Sequence, residues 1–141
     1  MANDLTIIET ESSIQISLLT EHGLSSVSLA IAQISRMNRI VVSRPQQGLG
    51  TILLSKLCEI ADEKGITIQN EVMPYRPMTW PPSFKKPPVK VYIKWYKKHG
   101  FELVDEQDGT ALMIRHPLIT RQFKEVVYLD KFTGRMLSRS I

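Results

Sequence analysis

The chain has 141 residues, 43% hydrophobic and 23% charged, which suits one folded domain burying about two-thirds of its unfolded surface and leaves no room for a second core. A single cysteine, Cys58, excludes an internal disulfide, no stretch approaches the roughly 18 apolar residues of a membrane span, and the three histidines lack metal-site spacing. The net charge of +4 and a pI near 9.3 favour an anionic partner, either a phosphorylated coenzyme or a nucleic acid.

In chain order, residues 5–9 alternate weakly between apolar and polar, 14–18 alternate cleanly and 27–34 alternate again, with Glu21-His22-Gly23 as turn material between the last two. These read as meander strands, with 38–42 as the fourth. Ser43 to Gly50 then forms a glycine-containing loop, followed by an amphipathic helix over 51–64 with Leu53, Leu57, Ile60 and Ala61 at helical spacing and Gly65 placed to end it. Residues 66–72 alternate as the fifth strand. The run 73–88 holds Pro74, Pro77, Pro81, Pro82, Pro87 and Pro88 among Tyr75, Trp80 and Phe84, too many prolines for a helix or a central strand. It reads either as a stiff aromatic wall beside a site or as a connector. A short helix from Val91 is stopped by Gly100, and a strand starts at Phe101. His99, beside that helix's C-terminus, is where a positive charge suits the dipole. Past Pro117, residues 118–141 form an extension with a basic hairpin pattern, read either as a partner or homodimer contact or as a loosely packed tail.

The loop carries the chemistry. Glycines let the backbone approach an anion closely, and the unpaired N–H groups of a first helical turn point at it with the positive end of the helix dipole behind them. Gly50 is followed by Thr51 with no lysine, so a γ-phosphate has nothing to grip it, and Leu53 stands where a dinucleotide fingerprint needs its third glycine. Glu71 lies at a suitable distance for a ribose contact, so a dinucleotide and a plain turn both stay open as alternatives.

Two motifs together resemble the GCN5-related N-acetyltransferases. The loop is similar to that family's Arg/Gln-x-x-Gly-x-Gly/Ala segment between its fourth strand and third helix: Gly48 and Gly50 match, while Pro45 stands where Arg or Gln is usual, with Arg44, Gln46 and Gln47 around it. Tyr96, Gly100 and Phe101 match the family's Tyr-x-x-x-Gly-Phe. The resemblance implies an α/β fold with a central mixed, mostly antiparallel sheet and flanking helices. The N-terminal helices are reduced or absent, because residues 10–13 leave no room for them, as in short forms resembling phage-encoded members. It implies an acetyltransferase domain over 1–117 and an extension over 118–141.

The activity so implied is transfer of an acetyl group from acetyl-coenzyme A, as co-substrate, to an amine of a protein or small molecule, in the cytoplasm or in a phage's host cytoplasm. Ile40, Val41 and Val42 would bind the pantetheine arm, and a backbone N–H there would polarise the thioester carbonyl. Arg44, Gln46, Gln47, Gly48, Leu49, Gly50 and Thr51 would hold the phosphates. Tyr96 would protonate the departing thiolate. Asn38 and Arg39 stand where the family often has a glutamate base, which leaves Glu71 for that role, through water. Val89 stands where an asparagine often contacts the coenzyme. No metal is implied. The alternative is a non-catalytic coenzyme- or nucleic-acid-binding interaction protein, with Lys85, Lys86, Lys90, Lys94, Lys97 and Lys98 interleaved with Phe84, Tyr92 and Trp95 as its basic face.

Overall fold

The computed structural model describes residues 4–32, 35–45, 47–78 and 80–118. Strands β1 (Asp4–Glu9) and β2 (Ser13–Thr20) are joined by a tight turn, in which the Thr10 N–H donates to the Ser13 carbonyl at 2.8 Å, so no helix intervenes. β3 (Gly23–Ala30) follows through a second hairpin, with Gly23 at φ 112°. Then come β4 (Ser35–Met37), α1 (Leu49–Lys64), β5 (Ile68–Val72), α2 (Val89–Lys97), β6 (Phe101–Gln107) and β7 (Thr110–Arg115).

The seven strands form one mixed sheet in the order β1-β2-β3-β4-β5-β7-β6, antiparallel throughout except for the parallel pair β4–β5. That parallel pair is the strand–helix–strand crossover through α1, which sets the glycine loop at the carboxyl end of β4. The period-2 pattern sends Ile14, Ile16, Leu18, Val27, Leu29, Met37, Ile68, Val72, Ala111 and Met113 into one core, which α1 completes with Leu53, Leu54 and Leu57 and α2 with Ile93 and Tyr96. On the opposite face Gln15, Leu19, Leu24 and Glu71 are exposed.

Several boundaries differ from the sequence expectation. The fourth strand lies earlier than 38–42: among the described residues Ser35, Arg36 and Met37 pair with β5. Beyond Met37 the Asn38 N–H donates to the Ser28 carbonyl at 2.9 Å, and Val41 exchanges both backbone bonds with Ser26 at 2.8 and 2.9 Å. Two residues, Arg39 and Ile40, thus stand opposite one, Val27, on β3, which makes them a bulge. The apolar run Ile40-Val41-Val42 turns away from β5 instead of extending the ladder with it. The third strand, expected over 27–34, spans Gly23–Ala30, and Gln33 and Ile34 lie outside the described residues. α1 starts at Leu49, earlier than expected, and ends at Gly65 in the left-handed conformation (φ 69°), with the Ile66 N–H on the Ala61 carbonyl at 2.8 Å. β5 begins at Ile68, two residues later than the pattern suggested. The extension expected over 118–141 lies, except for Leu118, outside the described residues.

One buried polar junction ties these elements together. Arg115 on β7, 4% exposed, engages the Asp62 carboxylate of α1 with both terminal nitrogens at 2.9 and 3.0 Å and donates from Nε to the His99 carbonyl at 2.7 Å. The Leu118 N–H also donates to Asp62, at 2.6 Å.

Candidate active site

β4 and β5 part after the Met37–Asn70 pair, since β5 runs on to Val72 while the other chain bulges away toward β3. The parting opens a cleft of about 250 Å³ lined by the bulge, the glycine loop, the end of β5, the proline-rich segment and one side of α2. Of the residues singled out in the sequence, Ile40, Val42, Arg44, Gly48, Leu49, Gly50, Thr51, Glu71 and Tyr96 all line it. Val41 and Gln47 do not, and Gln46 lies outside the described residues. Both backbone polar groups of Val41 are engaged with Ser26. The amides of Ile40 and Val42, on either side, are without a partner among the described residues, and both residues line the cleft.

At the mouth of the cleft Gly48 caps α1 with φ 72°, and a Cβ there would meet nothing within 4 Å, so the approach to the first helical turn is open. No acidic residue stands in that turn, and the helix dipole is unopposed toward an anion. Gly50 serves a different purpose. A Cβ at that position would meet the Trp95 ring at 3.3 Å and Val42 at 3.6 Å, so this glycine permits close contact between α1 and α2. The Trp95 indole N–H reaches the Thr51 hydroxyl at 3.1 Å across the same junction. Arg44 lies over the Phe84 ring at 5.8 Å, and its Nε is buried with no hydrogen-bond partner among the described residues. Arg39 stacks over Tyr75 at 4.3 Å.

The proline-rich segment is a built wall of the cleft. Arg76 gathers it by donating to the carbonyls of Phe84, Pro81, Trp80 and Pro77 at 2.7, 2.8, 3.1 and 3.4 Å. Trp80, 6% exposed, is pinned inward by an indole N–H bond to the Val42 carbonyl at 2.9 Å.

Tyr96 projects from α2 into the floor of the cleft, 4% exposed and packed edge-on against Phe101 with ring centroids 5.1 Å apart. Burial pushes its phenol above the ordinary value. Its neighbour, the Asn70 amide, pulls in the opposite direction, and Tyr92 and Cys58 add a smaller upward push. Burial also raises Tyr92. Asn70 occupies an inward slot of β5, 1% exposed; its Nδ2 has no partner of good geometry among the described residues, the Tyr96 hydroxyl being the neighbour it acts on. Glu71 points to the open face of the sheet and borders both the cleft and a polar groove lined by Gln69, Asp105, Gln107 and Thr110. His99 departs from expectation: burial and then the Arg115 cation hold its imidazole below the ordinary value, so the charge suited to the helix dipole is disfavoured.

Sequence reasoning missed Asn70 and Arg76, and placed Trp80 in an aromatic wall without its bond to Val42. An amide in the inward register of an alternating strand was the available signal for Asn70, because buried polar groups need partners. Arg76 and Trp80 act through loop contacts that no periodicity encodes.

No family model and no curated protein matches the sequence. Among solved structures, the chain is similar to an acyl-CoA N-acyltransferase from Pseudomonas aeruginosa, at 15% identity and a TM-score of 0.54 over 75% of this chain and 70% of that one. It is also similar to the N-acetyltransferase PseH of Campylobacter jejuni, at 16% identity and 0.51 over 76% and 70%. A third likeness is to PH1933 from Pyrococcus horikoshii OT3, at 14% and 0.53 over 72% and 64%. At these identities the likeness is one of fold, and the chain has the fold of the GCN5-related N-acetyltransferases, with two helices on a seven-stranded mixed sheet among the described residues.

Proposed function

We propose that this chain is an acetyl-coenzyme A-dependent N-acetyltransferase. The observation that carries the reading is the parting of β4 and β5, with an open helix N-terminus at its mouth and a buried tyrosine at its floor. The residues present fit the coenzyme: Gly48 leaves room for a phosphate, the Arg44 Nε is buried without a partner among the described residues, and Ile40 and Val42, whose amides are likewise unpartnered there, line the cleft. Leu49, Gly50 and Thr51 complete the first helical turn, whose N–H groups would hold the diphosphate.

When bound, the coenzyme supplies an activated acyl group as a thioester. The chain's own residues do the rest. An amide in the bulge, Ile40 or Val42, would donate to the thioester oxygen as negative charge develops there. Glu71 approaches from the open face and would take the proton from the acceptor amine, through water, since only the neutral amine attacks. Tyr96, kept protonated by its burial, would donate its O–H toward the departing sulfur. The Arg76-clasped wall would exclude water from one side. The acceptor is an amine of a protein or small molecule, and the domain spans 1–117. Trp80 blocks the Val42 carbonyl, so pairing of the pantetheine arm with this strand would rest on N–H groups. A homodimer contact or partner-binding role for 118–141 and a cytoplasmic site of action complete the reading.

Calorimetry with acetyl-coenzyme A, followed by turnover of wild type and Tyr96→Phe with a panel of amines, tests the proposal. Binding by both proteins with turnover lowered roughly 10²-fold in the variant is expected. Absence of binding by the wild type would overturn the reading.

A further inference from the structure

The buried Nδ2 of Asn70 makes no hydrogen bond of good geometry among the described residues, although the side chain lies close enough to the Tyr96 hydroxyl to favour its anionic form by hydrogen bonding. The residue stands at the last residue pair before β4 and β5 separate, opposite Met37, in the inward row that also contains Ile68 and Val72. The side chain is 1% exposed, lines the cleft beside the Tyr96 hydroxyl, and its Nδ2 finds no acceptor among the described residues. An amide N–H buried without an acceptor is destabilising, so a fold that keeps one at the floor of a cleft has it ready for an atom of a ligand.

We infer that Asn70 and Tyr96 together form a two-donor seat for the coenzyme sulfur, in which the Asn70 Nδ2–H and the Tyr96 O–H both point at the atom that becomes a thiolate. The inference rests on the acetyltransferase reading and adds a residue to it. As the new C–N bond forms and the C–S bond breaks, the C–S electron pair stays on sulfur and the amine proton leaves toward Glu71. The seat stabilises the sulfur's negative charge by hydrogen bonding.

Reference acidities favour this arrangement over full proton transfer. A thiol has a pKa near 8.5 and a phenol near 10, and the burial of Tyr96 widens that gap. Moving the proton fully from phenol to thiolate is therefore uphill inside the site, whereas two hydrogen bonds to the thiolate are favourable. Sulfur takes its proton from solvent after release.

Binding of coenzyme A and of desulfo-coenzyme A, which lacks the sulfur, to the wild type, Asn70→Leu and Asn70→Asp separates the possibilities. The ultraviolet absorbance of bound thiolate, followed against pH, reads the sulfur directly. The wild type should bind coenzyme A increasingly better than the desulfo compound as pH rises, with the bound thiol titrating below the free one. Asn70→Leu, which replaces the buried amide with a similar apolar volume, should fold with an equal or higher Tm. It should lose roughly tenfold or more of the preference for coenzyme A and shift the bound thiol's titration upward, while desulfo-coenzyme A binds as before. Asn70→Asp should lose the preference more completely, because a carboxylate repels the thiolate. A wild type that binds coenzyme A and desulfo-coenzyme A equally at every pH overturns the sulfur seat, as does an equal loss of both ligands in Asn70→Leu. Failure of the wild type to bind desulfo-coenzyme A at all overturns the coenzyme reading beneath it.

Discussion

The indole N–H of Trp80 donates to the carbonyl of Val42 at 2.9 Å, joining the middle of the proline-rich segment to the strand that leaves the sheet. This bond holds one wall of the cleft at a fixed distance from its floor. Trp80→Phe should cost about 1–2 kcal/mol through the lost bond and a small cavity, read as a lower Tm. Limited proteolysis should cut within 73–88 faster than in the wild type, and KM for acetyl-coenzyme A should rise more than kcat falls. An unchanged cleavage pattern would mean that the Arg76 clasp alone keeps the wall closed.

Gly48 and Gly50 predict different outcomes. At Gly48 a side chain meets open space but must adopt φ 72°, so Gly48→Ala and Gly48→Glu should each lose about 1–2 kcal/mol of stability to backbone strain. Only the glutamate sets a carboxylate against the anion site, so calorimetry should find coenzyme binding largely abolished in Gly48→Glu and mildly weakened in Gly48→Ala. Equal affinity in the two variants would remove the helix N-terminus from the phosphate site.

How far the sequence reached depends on what each segment does. The hairpins β1–β2 and β2–β3, α1 with its Gly65 stop and the Tyr96 helix follow from periodicity and turn residues, because each is held by neighbours close in the chain. The fourth strand was misplaced because Ile40 and Val42 have high β propensity yet serve the cleft, while the true ladder with β5 uses Ser35, Arg36 and Met37. Tyr96 and the glycines carried a motif, whereas Asn70 looked like one more residue of an alternating strand. Its meaning comes from meeting α2, a contact that pattern alone does not give.

Acid should weaken the fold through His99. Its folded-state value is depressed by burial and by Arg115, so the unfolded chain, near 6.5 for this side chain, takes up the proton first. Stability is therefore present above that value, declines as pH falls below it toward the folded value, and levels off lower still. Urea midpoints at several pH values between about 5 and 8 should fall less steeply on the acid side in His99→Gln than in wild type. Parallel curves would assign the acid sensitivity to other groups.

Removing the carboxylate that faces Arg115 strands a buried cation. Asp62→Ala should lose about 3–5 kcal/mol, measured by chemical denaturation. The double change Asp62→Ala with Arg115→Met should recover a good part of that loss, because an apolar side chain then fills the site. A double variant as unstable as the single one would show that the Arg115 bond to the His99 carbonyl matters more than the ion pair.

The exposed lysines of α2 decide between an acetyltransferase and a nucleic-acid binder. Lys94, Lys97 and Lys98 all face solvent. If they neutralised several phosphates, RNA or DNA affinity would fall linearly on a log–log salt plot, and changing all three to Ala would flatten the slope. We expect weak polynucleotide binding at physiological salt and an effect of the triple change on acetylation instead. Tight RNA binding without acetyl transfer to any amine would reverse the functional reading and leave the fold untouched.

Among the described residues three pairs, Ser35–Ile68, Arg36–Gln69 and Met37–Asn70, join the β1–β4 ribbon to the β5–β7–β6 ribbon, and each ribbon comes from one continuous stretch of chain. This short seam is also the edge of the cleft. A molecule lying there bridges both ribbons, so its binding adds to their cohesion: at a free concentration a hundredfold above Kd it should raise the unfolding free energy by about 2.7 kcal/mol. The folded population of this protein would then track the supply of the small molecule that spans the seam.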